Sequence, residues 1–124
     1  AIAMFCMMSM SALADSDVHI SLPENKVWTS SLAISRTGMF SYVWAGCDAV
    51  YPSSGSDHYT KIQTRLVNSS GTLIMTKDYE TLTEGDVVTP LYIKEGYLSY
   101  NTVYIQFRGN TNAAAEAIVE YFSF

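Results

Sequence analysis

Short runs of alternating sidedness, cut at intervals by turn-forming residues, constrain this chain more than any other feature. In residues 102–108, Val103, Ile105 and Phe107 share one parity and Tyr104, Gln106 and Arg108 the other. That is the period-two pattern of a strand with one buried face. Residues 27–35 alternate likewise, Trp28, Ser30, Leu32 and Ile34 against Thr29, Ser31, Ala33 and Ser35, before Arg36, Thr37 and Gly38 turn the chain. Within 59–67, Ile62 and Leu66 oppose Lys61 and Arg65. Past residue 14 no stretch keeps the three-and-four spacing of a helix for more than two turns, apart from a short turn expected at 112–116.

Residues 39–51 are apolar on both parities, with Phe40, Tyr42 and Trp44 opposing Met39, Val43 and Cys47. Such a run predicts a central strand covered on both faces, and it places Trp44, like Trp28, in the core. Asn68, Ser69, Ser70 and Gly71 predict a hairpin into residues 72–77. Residues 84–86 turn the chain into 87–94, where Pro90 predicts an edge strand or a bulge because proline donates nothing to a ladder. Residues 18–22 and 115–124 complete about eight strands. With aromatics at 13% and charged residues at only 15%, the expected fold is all-β: a two-sheet antiparallel β-sandwich, or alternatively a small β-barrel.

A composition step divides the chain. The first fourteen residues, AIAMFCMMSMSALA, carry no charge and four of the six methionines, whereas all seven Lys and Arg and all twelve Asp and Glu lie from Asp15 onward. An apolar run ending in Ala12, Leu13 and Ala14 reads as the later part of a secretory signal peptide cut before Asp15, with no initiator Met or basic n-region ahead of it; the alternative is a real N-terminal helix or strand packed on the body. Residues 15–124 are then a single domain, secreted or associated with a cell wall. Removal of the leader leaves Cys47 alone, and its apolar surroundings predict an inert buried thiol.

The charge pattern excludes some partners. At a net −5 with its basic residues scattered singly, the chain offers no track for a nucleic-acid backbone and no cluster for anionic membranes once the leader is cut. No phosphate-cradling or cofactor motif occurs. Gly55, Ser56, Asp57 and His58 hold the residue types of a serine triad, but adjacency in sequence does not give triad geometry, so a polar turn is expected. His19 and His58 are too few for zinc. Asp48, Asp57, Glu84 and Asp86 fall near turns without a calcium-loop pattern, and no carboxylate pair stands out for glycoside cleavage. The expectation is a protein that is not an enzyme and takes no cofactor or metal.

Tyrosine is the surplus residue, with nine in the chain. Tyr92, Tyr97, Tyr100 and Tyr104 are expected on outward faces or loops, where they would offer flat, amphipathic contact area to a glycan or an extracellular protein. The competing reading is that tyrosines stabilise sheets through cross-strand pairs with no ligand at all.

Three blocks, 22–31 (LPENKVWTSS), 35–52 (SRTGMFSYVWAGCDAVYP) and 91–110 (LYIKEGYLSYNTVYIQFRGN), resemble small secreted proteins of Gram-positive bacteria. The resemblance implies export and a β-sandwich, and it brings no activity or site residue with it. A more distant similarity is to lactococcin 972-type bacteriocins, although the Gly-Gly-x-Trp start of that family is absent. The two functional expectations are therefore a secreted binding module and, as the alternative, a bacteriocin-like secreted toxin.

Overall fold

A computed structural model of the chain describes residues 13–38 and 40–123. The strands are β1 (Leu13–Leu22), β2 (Leu32–Ser35), β3 (Tyr42–Tyr51), β4 (Lys61–Val67), β5 (Glu80–Thr83), β6 (Thr89–Tyr92), β7 (Thr102–Gly109) and β8 (Ala115–Ser123). They form two four-stranded sheets, ordered β1-β8-β3-β6 and β2-β7-β4-β5, in which every pairing is antiparallel. Neither sheet closes on itself, so the fold is the sandwich and not the barrel.

Alternation decides what lies between the sheets. From the first sheet come Val43, Ala45 and Cys47 of β3 and Ala117, Val119 and Tyr121 of β8; from the second come Ile62 and Leu66 of β4 and Val103, Ile105 and Phe107 of β7, all buried. The Phe107 and Tyr121 rings meet across the interface, centroids 6.4 Å apart. Each such large apolar side chain contributes about 1.5–3 kcal/mol relative to its exposed state. A bulge between Cys47 and Ala49 switches the parity of β3, so that Val50 also points inward. Before the bulge the even-parity aromatics Tyr42 and Trp44 are half-buried on the outer face, so β3 is central in its sheet, between β8 and β6, but is not covered on both faces as its apolar run predicts.

Several elements depart from expectation for identifiable reasons. The turn at 68–71 forms, with the Asn68 side-chain oxygen accepting from the Ser70 and Thr72 backbone N–H groups, yet 72–77 makes only isolated bridges. Leu73 bridges to Val67 in one sheet and Met75 to Ile93 beside the other, so this segment crosses between the sheets. The strand that returns to β4 is β5, three residues beyond the expected end. At 112–116 there is a bend and the start of β8 instead of a helical turn. Pro90 sits in β6, an edge strand of the first sheet, opposite Trp44. Of the expected leader, residues 1–12 lie outside the described residues; Leu13 and Ala14 open β1 opposite Ser123 and Phe122.

Candidate functional site

Strands β4 and β7 carry the same triplet, Gln-x-Arg: Gln63, Thr64 and Arg65 in one, Gln106, Phe107 and Arg108 in the other. Antiparallel register sets Gln63 opposite Arg108 and Arg65 opposite Gln106. The middle residues point inward, so all four polar side chains share the outer face of the second sheet. Nε of Arg108 donates to Oε1 of Gln63 at 2.6 Å, and Nε of Arg65 donates to Oε1 of Gln106 at 2.8 Å. The amide nitrogens are held in turn, Gln63 Nε2 by Asn110 Oδ1 and Gln106 Nε2 by Ser31 Oγ, each at 3.0 Å.

Trp28 completes the arrangement. Its neighbour Thr29 is tied to β7 twice, its N–H to the Phe107 carbonyl at 2.8 Å and its Oγ1 accepting from the Phe107 N–H at 3.0 Å. That anchor lays the indole against both guanidinium carbons, each 4.3 Å from the ring centre. Tyr79, 40% exposed, sits 5.3 Å from Arg108. Contacts of this kind contribute about 0.5–1 kcal/mol at exposed sites and more when desolvated. Trp28 is therefore half-buried on the outer surface, not in the core as its parity suggested. Its stretch, 27–31, is not regular strand, and the alternation that begins properly at Leu32 does not reach back to it.

Burial, and after it the neighbouring charge of Arg108, lowers the pKa of Arg65. Burial likewise lowers the pKa of the third arginine, Arg36, but its partners differ. Arg36 is 3% exposed, and its guanidinium donates to the backbone carbonyls of Leu98, Tyr100 and Phe40, closing the loops at one end of the sandwich.

The four tyrosines singled out from sequence do not come together. Tyr104 is on the outward parity of β7, the face that carries Gln106 and Arg108, and is half-buried there. Tyr92 lies on the outer face of the other sheet, 49% exposed, in edge contact with Tyr42 at 5.8 Å. Tyr97 and Tyr100 pack against one another at 5.4 Å in the loop between β6 and β7. No motif marks Arg65, Arg108, Gln63 or Gln106 as site residues, and the parity of Trp28 points to the core; the repeated Gln-x-Arg triplet is the signal in the sequence that leads to them.

The first sheet has a contrasting outer surface. Tyr42 stacks on Phe40 at 5.9 Å and meets Trp44 edge-on at 5.2 Å, while Trp44 stacks with Phe122 at 6.3 Å. Trp44 is thus also half-buried on an outer face, because Val43, Ala45 and Cys47 occupy the inward parity of β3. This surface is aromatic at Tyr42, Trp44 and Phe122, and the same outward parity of β8 carries Glu116 and Glu120, the Glu120 carboxyl being pushed up by burial and by the charges of Asp48 and Asp17. An open depression of about 570 Å³ beside Leu22, Pro23, Tyr51 and Pro52 brings in one charged side chain, Glu116. The His58 ring sits 2.8 Å from the Pro52 carbonyl. Among the described residues no three His, Cys, Asp or Glu stand close enough to hold a metal, and no helix is long and apolar enough to cross a membrane. Cys47 is buried and free, its thiol pushed up to about 12 by burial.

Comparison with protein-family models, with curated proteins and with solved structures finds no match to this chain.

Proposed function

We propose that this chain is a secreted or wall-associated binding module, not an enzyme, and that it holds a glycan on the outer face of the second sheet. One observation carries the reading: an indole and two guanidinium groups are fixed beside one another by a closed set of amide hydrogen bonds. A saccharide needs a flat apolar surface for its ring faces and directed donors for its oxygens. Trp28 supplies the first, with Tyr79 beside Arg108 and Tyr104 on the same face of β7, and the arginines supply the second. Because Gln63, Gln106, Asn110 and Ser31 already hold these groups, little side-chain freedom is lost on binding. The aromatic face of the first sheet has tyrosine hydroxyls and the carboxylates of Glu116 and Glu120, but its four strands contain no arginine, so it offers no pair of cationic donors beside an aromatic ring. Export follows from the apolar leader read in the sequence.

The test is a glycan array of neutral and acidic saccharides probed with the wild-type protein, Trp28→Ala and Tyr92→Ala. Binding by the wild type that disappears in Trp28→Ala and persists in Tyr92→Ala is expected. A blank array, or a profile indifferent to Trp28→Ala, contradicts the reading.

A further inference from the structure

Building on the glycan reading, we propose that Arg65 and Arg108 together receive a carboxylate, so that the saccharide this face takes is an acidic one bearing uronic-acid carboxyl groups. The chain has a net charge of −5 and twelve carboxylate side chains. Yet among the described residues no carboxylate lies within ion-pair distance of the two neighbouring surface arginines, and Lys77 with Glu80 is the one ion pair there.

Both positions facing the arginines carry glutamine, the neutral isostere of the glutamate that would have cancelled each charge. The amide oxygens engage only Nε, and no hydrogen bond among the described residues uses the terminal nitrogens of Arg65 or Arg108. Those nitrogens form the planar fork that a carboxylate matches in two-point fashion. Covering the Trp28 indole explains one guanidinium but not a second that repels the first. Arg36 makes the contrast plain, since its terminal nitrogens are taken up by backbone carbonyls. A ligand with a negative, planar, hydrogen-bond-accepting group beside an apolar ring face satisfies all of these features, and a uronic-acid residue has that form.

The experiment is isothermal titration of the whole chain with tetragalacturonate, with its methyl ester, and with a neutral tetrasaccharide. The acid is expected to bind, and to weaken on the order of tenfold on esterification and again in Arg65→Gln or Arg108→Gln, each checked for native circular dichroism. Equal binding of acid and ester overturns the carboxylate inference and leaves the glycan reading intact. Silence from all three probes, together with a blank array, overturns both. The comparison of acid with ester needs no altered protein, so an unstable arginine variant does not obscure the answer.

Discussion

Gln63 and Arg108 face each other across β4 and β7, with Nε of the arginine 2.6 Å from Oε1 of the amide. Gln63 is only 5% exposed, so its loss leaves the guanidinium unsupported. Gln63→Ala is expected to lower stability by about 1 kcal/mol in urea unfolding. Gln63→Glu separates holding from neutralising: at this nearly buried position desolvation of the carboxylate and loss of the bond to Asn110 Oδ1 offset the new ion pair, so stability is expected not to rise while binding of tetragalacturonate falls. Unweakened binding in Gln63→Glu argues against free charge as the recognition element.

Arg36 ties three loop carbonyls together from a nearly buried position. Arg36→Met keeps the apolar stem and strands those acceptors, an expected cost of about 2–4 kcal/mol. Chemical denaturation measures it, and a change below 1 kcal/mol, on the same scale, rejects the role assigned to Arg36.

Gly109 is buried at the end of β7, where an added Cβ would collide with the Tyr59 hydroxyl. That hydroxyl donates to the Ala113 carbonyl at 3.3 Å. Gly109→Ala is expected to cost about 1–3 kcal/mol through overpacking. Adding Tyr59→Phe removes the colliding atom and recovers most of the loss, a coupling that a double-mutant cycle reads directly.

Cys47 carries a pH prediction. Burial chiefly, aided by Glu84 and Asp48, raises its thiol from 9.0 to about 12. Below pH 9.0 folded and unfolded chains both keep the proton and the contribution is complete. As pH climbs toward about 12 the unfolded chain releases it first, so stability declines over that window. Urea midpoints against pH should therefore fall more steeply for the wild type than for Cys47→Ala. The native thiol should also resist alkylation until the protein unfolds.

The sandwich was legible because strands such as β4 and β7 keep strict alternation over their length, with Ile62, Leu66, Val103, Ile105 and Phe107 all on the buried side. The return strand β5 was not, since Leu73 and Met75 look like strand residues but bridge to different sheets. Trp28 was misplaced for a physical reason: one indole side chain fits a core as readily as it caps two arginines, and those arginines belong to other strands. Trp44 fell to the outer face because the parity holding Val43 and Ala45 fits the narrow space between the sheets. Local periodicity gives sidedness within a strand, whereas the pairing of two Gln-x-Arg triplets depends on a register fixed by tertiary structure.

The chain has two tryptophans, Trp28 and Trp44, one on each outer face. Their indole N–H signals in a ¹H–¹⁵N correlation spectrum report separately on the two sheets during titration with tetragalacturonate. A progressive, saturable shift of the Trp28 signal with Trp44 unmoved is the predicted result; movement of Trp44 alone, or of neither, contradicts the placement of the site on β4 and β7.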